Sequence, residues 1–186
     1  MKINGSDLMV FATVGGKLKS IAYATNHVLD TQMNTKDTST KDDGNGMWQN
    51  FEAGLMSWTM QTDNLMSDAA ENGASVNDLF DIYLKREPIE VAFSLQTNNP
   101  DYSKKLDEPF VAPDGGWTPD TKNQYHGQAL ITSINVTAQN GEKATCSVTF
   151  TGCGNLQKMG AGIQAASTVA LSAKSPVAVE TATVKK

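Results

Sequence analysis

The stretch Leu130-Ile131-Thr132-Ser133-Ile134-Asn135-Val136-Thr137-Ala138-Gln139-Asn140-Gly141-Glu142-Lys143-Ala144-Thr145-Cys146-Ser147-Val148-Thr149-Phe150 decides the fold class. Asn140-Gly141 is the strongest short signal for a tight hairpin turn, because both residues tolerate positive φ. On one side of it Leu130, Thr132, Ile134 and Val136 fall at every second position. On the other, Cys146, Val148 and Phe150 alternate with Thr145, Ser147, Thr149 and Thr151. A period of two places one set of side chains on each face of a strand. The reading is an antiparallel hairpin of two strands, Tyr125 to Ala138 and Glu142 to Gly152.

Working outward, the same period recurs. Phe51 to Leu65 carries Trp58, Met60 and Thr62 on one face and Ser57, Thr59, Gln61 and Asp63 on the other. Ile89 to Gln96 sets Val91, Phe93 and Leu95 against Ala92, Ser94 and Gln96. Leu8 to Phe11 ends at Gly15-Gly16, and Leu18 to Leu29 reads as one long strand returning across that turn. One helix is written between the strands. Ser75 is its N-cap and Asp78 its capping-box partner. Val76, Leu79, Phe80 and Tyr83, with Leu84, form an apolar stripe at helical spacing, read as the core side of the helix. Lys85 and Arg86 suit its last turn, and Pro88 ends it.

The sum is a mainly β domain with one helix: about six antiparallel strands in a barrel or sandwich, with the helix plugging one edge. The domain is placed at residues 1–160. It contains a loop arm at 30–50 and an irregular, proline-rich insertion at 97–122 that holds Tyr102, Phe110 and Trp117. Residues 161–186 change to Ala, Thr, Val, Ser and Lys and read as a C-terminal extension, whose Val177, Val179 and Val184 suit an arm laid on a neighbour.

At 186 residues the chain is long enough for one sizeable core. Net charge is −5, from 15 basic and 20 acidic residues, which argues against binding nucleic acid by phosphate neutralisation. Cys146 and Cys153 lie seven positions apart on a strand, about 23 Å at ~3.3 Å per residue, too far for a disulfide. Two reduced thiols suit a reducing cytoplasm. The first residues contain no apolar signal region, and no apolar run approaches membrane-spanning length.

No constellation of catalytic residues assembles. The chain has no Gly-Lys-Ser/Thr phosphate loop and no Gly-x-Ser-x-Gly elbow. His27, His126 and the two cysteines lack zinc-ligand spacing, so both histidines read as strand-surface residues. Asp42-Asp43-Gly44-Asn45-Gly46 is rich in oxygen ligands, but the twelfth position counted from Asp43 is Gly54 rather than a bidentate Glu. No catalytic, metal or cofactor residues are therefore assigned.

What stands out instead is Thr35 to Gly46, a long polar segment between two strands. Loops beyond about 12 residues usually carry function or are disordered. Its residues Lys36, Asp37, Thr38, Ser39, Thr40, Lys41, Asp42 and Asp43 alternate in charge and read as a docking arm, built as a long hairpin.

The whole-chain pattern resembles the major tail protein, or tail tube protein, of long-tailed siphovirus-type bacteriophages. The matching stretches are Gly5-Ser6-Asp7-Leu8-Met9-Val10-Phe11, Ala24-Thr25-Asn26-His27, Lys36-Asp37-Thr38-Ser39-Thr40-Lys41-Asp42, Trp48, Gly54-Leu55-Met56-Ser57-Trp58, Leu79-Phe80-Asp81, Tyr125 to Ser133, Gly141 to Thr145 and Phe150-Thr151-Gly152. They span Met1 to Met159, and the arm motif is more specific than the hairpin. The resemblance implies a structural, non-enzymatic virion protein of β-barrel or sandwich fold. It implies hexameric rings stacked into a tube that conducts DNA, with partners at the tube ends and a tape measure protein. It also implies assembly in the host bacterial cytoplasm. In that setting Lys36 to Asp43 would contact the next ring. A second reading is a carbohydrate-binding or adhesion module using Trp48, Trp58 and Trp117 as a sugar platform.

Overall fold

The computed structural model describes residues 3, 5–42, 48–67, 73–97, 113 and 115–159. Asp43 to Gly46, Tyr102, Phe110 and the extension 161–186 lie outside them. After a short 3-10 turn at Gly5–Asp7 come strands β1 (Leu8–Val14), β2 (Lys17–Ser20), β3 (Ala24–Asp37) and β4 (Phe51–Leu65). Helix α1 (Val76–Lys85) follows, then β5 (Ile89–Gln96), β6 (Pro119–Thr137), β7 (Thr145–Gly152) and β8 (Gln157–Met159). All eight strands join one antiparallel sheet in the order β2-β1-β5-β6-β7-β4-β3, with β8 on β6. The end strands β2 and β3 do not pair, so the sheet is open rather than a closed barrel.

Strands β4 and β5 take the bounds expected of them. Trp58, Met60 and Thr62 are buried on one face of β4. The β5 strand is central, so both of its faces are covered. Val91 and Phe93 enter the main core, while Ala92 packs with Phe11 and Trp117 in a second cluster behind the sheet.

Four expectations are corrected. Leu18 to Leu29 is two strands, not one. Gly15 and Gly16, both at positive φ, turn β1 into β2. The chain then leaves the sheet because the Ala22 N–H donates to the Ala74 carbonyl (2.9 Å) and the Ala74 N–H to the Ser20 carbonyl (2.8 Å). Tyr23, at φ 55°, redirects it toward β4. Second, β6 begins at Pro119, before the expected Tyr125, because Gln124 to Ala129 already pair with β5. Third, the register shifts between Ile131 and Ser133, leaving Thr132 as the extra residue of a bulge. Parity therefore flips along β6: Ala129 and Ile131 are buried before it, opposite Gly152 and Phe150, and Ile134 packs on the core after it.

The fourth correction concerns the helix. Ser75 caps it as expected: its Oγ accepts the Asp78 N–H at 3.1 Å, and the Asp78 carboxylate accepts the Ser75 N–H at 2.9 Å. Arg86, in the left-handed region, closes the other end. Val76 and Leu79 are buried, and Ile82 packs beside them. Phe80, Tyr83 and Leu84 instead remain 47%, 41% and 60% exposed, so the apolar stripe splits into an inner and an outer row.

Trp58 is the keystone of the core side. Its ring sits against Gly152 of the adjacent β7 and Gly127 of β6 beyond it, and its Nε1 donates to the Gly154 carbonyl at 3.0 Å. A Cβ at Gly127 would stand 2.7 Å from Trp58 Cζ2, and one at Gly152 closer still. Only glycine leaves room for the indole at these two positions.

His27 is half-buried and paired with the buried Thr62 in the strand register, so its side chain shares the inner face. Burial lowers its pKa from 6.5 to about 4, and the Asp63 charge only partly opposes this. Its Nδ1 has no hydrogen-bond partner among the described residues. In the unfolded chain the imidazole returns to an ordinary pKa near 6.5. Between those two values the unfolded state binds more protons, so stability falls as pH drops from about 7 toward 4. Unfolding by denaturant should show a loss of about 2 kcal/mol between about pH 7 and 5 from this residue. His27→Gln should remove that loss, and equal pH dependence in both proteins would discard the assignment.

Candidate functional site

β4 pairs with β7 only from Thr59 to Leu65, whereas its pairing with β3 continues to Phe51. The segment Phe51 to Trp58, with Thr31 to Asp37 beside it, therefore projects beyond the sheet as a two-stranded ribbon of about 27 Å at ~3.4 Å per residue. Such a ribbon is marginally stable alone. Here it is the continuation of strands fixed in the sheet, and its base ends at the buried Trp58.

The arm expected at 30–50 is thus a hairpin whose strand β3 reaches Asp37. Lys36 and Asp37 lie in that strand, opposite Glu52 and Phe51, rather than in a loop. Beyond them, the Asp37 carboxylate accepts the Ser39 N–H at 2.9 Å, and the Ser39 hydroxyl accepts the Asn50 N–H at 2.9 Å. The Thr38 N–H donates to the Asn50 carbonyl at 2.9 Å. Hydrogen bonds from Ser39, side chain first, hold the Asp37 carboxyl below the ordinary carboxylate range. Thr40, Lys41 and Asp42 follow, all exposed; Asp43 lies outside the described residues. The polar residues of the motif thus include the pins that shape the start of the tip.

The sequence reading missed the apolar side of this arm. Cross-strand partners share a face. The register Leu29↔Met60, Thr31↔Trp58, Met33↔Met56, Thr35↔Ala53, Asp37↔Phe51 carries the core face of the sheet straight onto the ribbon. A shift between Met33 and Thr35 adds one residue to β4, and Gly54 there sits against the Asn34 carbonyl. The bulge keeps Phe51 on the same face as Met56 although the two are an odd number of positions apart. Met33, Phe51 and Met56 on that face are 52%, 57% and 77% exposed. Simple alternation along β4 would have separated Phe51 from Met56, which is why sequence periodicity hid the patch. Trp48, 83% exposed, lies near the tip.

Of the tryptophans proposed as a sugar platform, Trp58 and Trp117 are buried, which leaves Trp48 alone on the surface. That reading is not favoured. Among the described residues no group of His, Cys, Asp or Glu is placed to hold a metal ion, and no helix is long and apolar enough to cross a membrane. Cys146 is buried and Cys153 exposed, and both are free thiols.

The family model described as phage tail tube protein matches residues 2–158. No curated protein sequence matches the chain. Among solved structures the fold is similar to the tail of an empty gene transfer agent particle, refined helically with C6 symmetry, at TM-score 0.64 and 18% identity over 85% of this chain and 99% of that one. The virion of a native gene transfer agent particle gives TM-score 0.62 at 17% identity, again over 85% and 99%. The SPP1 tail tube gives TM-score 0.58 at 12% identity, over 85% of this chain and 80% of that one.

Proposed function

This chain belongs to the phage tail tube protein family, and from that premise we propose that it builds six-membered rings stacked into a hollow tube, the arm of each copy reaching a copy in the next ring. The observation that carries the reading is the projecting ribbon with an uncovered apolar face continuous with the core. Large apolar side chains held out on a ribbon, Met33, Phe51 and Met56 on one face with Leu55 beside them, would be a liability in a monomer. In a stacked assembly they become a joint. Six-fold order is drawn from the C6 symmetry of the gene transfer agent tail.

A stack needs two kinds of joint. Rings close through heterologous contacts within a layer, and a second, open interface repeats along the axis. The long end strand β3 and the short β2 offer unpaired edges for the first kind. The arm serves the second. The tube conducts DNA without gripping it, and the net charge of −5 suits a wall that DNA slides past. The protein acts as structure and not as a catalyst, and needs no cofactor. Assembly takes place in the host bacterial cytoplasm, around a tape measure protein and between end proteins of the tail.

Negative-stain microscopy of the purified full chain at rising concentration tests this. Stacked rings with six-fold end views are expected. A monomer at every concentration would overturn the reading.

A further inference from the structure

We propose that the arm's apolar face docks on the outer row of helix α1, Phe80, Tyr83 and Leu84, of a second copy of this chain. The inference rests on the stacking reading above and names the receiving surface. On the helix, positions i, i+3 and i+4 are neighbours, so these three side chains form one contiguous patch. The rings of Phe80 and Tyr83 lie 6.1 Å apart, centre to centre, at 35°. The residues are 41–60% exposed although the inner row of the same helix, Val76 and Leu79, is sealed in the core. The helix is thus firmly seated by one side and bare on the other.

The occupant is a second copy because this chain carries the complementary surface. Among the described residues, the other exposed large apolar side chains are Leu55 and Trp48, which belong to the arm itself, and scattered ones elsewhere such as Tyr23, Tyr125 and Val136. The arm presents three on one face, Met33, Phe51 and Met56, and the helix three on another. Both sets stay exposed within the chain, so neither covers the other. Methionine adapts to an irregular partner and contacts aromatic rings favourably through its sulfur, which matches two arm methionines to Phe80 and Tyr83. Charge agrees at the margin. Asp37, opposite Phe51, is the acidic end of the arm face, and Lys85 and Arg86 follow Leu84 at the basic end of the helix. A contact between two different patches of one chain is heterologous and propagates from copy to copy, as an axial stack requires.

The test is site-specific photocrosslinking in assembled tubes. Phe51 is replaced by p-benzoylphenylalanine, an aromatic of related shape, and the variant is mixed at about one part in ten with isotopically labelled parent chain, so that the parent dictates assembly. After irradiation, mass spectrometry should find Phe51 position adducts on labelled peptides covering residues 76–86. The reciprocal probe at Tyr83 should return labelled peptides from residues 30–37 or 48–58. Tubes in which the Phe51 probe reaches other peptides, or none, would overturn the docking while leaving the stacking intact. Failure of the labelled parent itself to form tubes would overturn the stacking reading, and the docking with it.

Discussion

A chain in which residues 34–55 are replaced by Asn-Gly is expected to fold as stably as the parent, within about 1 kcal/mol, and to form no tubes. The cut falls where the physics allows it. Met33 and Met56 are a cross-strand pair, and a two-residue Asn-Gly turn joins such a pair with the twist a hairpin needs. Every described residue removed is exposed or nearly so, and none contributes to either core cluster. The shortened loop lowers the closure entropy slightly, which favours folding. Assembly, in contrast, loses Phe51 and Trp48, the tip pinned by Asp37 and Ser39, and most of the ribbon's length. Urea unfolding and microscopy on the same preparation separate the two effects. A stable chain that still makes normal tubes would remove the arm from the stacking joint.

Trp58→Ala is expected to destabilise the chain by about 3–5 kcal/mol, the usual cost of deleting a buried aromatic from a packed core. That is a large share of the 5–15 kcal/mol that typically holds a domain together. The cost has two sources. The indole is 5% exposed and lies over two glycines whose missing side chains exist to admit it, so its removal opens a slot that neither strand can fill. Its Nε1 bond ties the Gly154 carbonyl, and with it the turn before β8, to β4. It also stands at the base of the arm, where β4 leaves β7, so the arm would lose its fixed root. Trp58→Phe keeps most of the ring and loses the bond, and should cost clearly less. A loss under 1 kcal/mol for the alanine variant, measured by denaturant unfolding, would contradict this account of the core.

Much of the fold was legible because local chemistry sets it. The bounds of β4 and β5 followed from alternation, and the capping box at Ser75 and Asp78 from side chains that satisfy backbone N–H groups locally. The features that escaped depend on distant partners. The bulge at Thr132 exists only relative to β7, and the one opposite Asn34 only relative to β3. Each shifts parity, so each misassigned the faces of residues nearby. The break after Ser20 is made by Ala74, more than fifty positions away. The helix stripe reads as one core-facing row, but how much of it the sheet covers is a matter of tertiary geometry, and Phe80, Tyr83 and Leu84 stay outside. Whether a sheet closes likewise depends on its two end strands meeting, which no strand pattern encodes. At the arm, the polar motif was visible as charge alternation, whereas its apolar face was written across two strands and became readable only through their register.

Amide hydrogen exchange over residues 30–37 and 51–57, compared between dissociated subunits and assembled tubes, tests the central claim most directly. These backbone groups sit in an exposed two-stranded ribbon and should exchange readily in the subunit. If the arm is the joint between rings, their exchange in tubes should slow by about tenfold or more, since docking must close the ribbon's openings by roughly 1.4 kcal/mol for each factor of ten. Equal exchange at these residues in subunits and in well-formed tubes would contradict it.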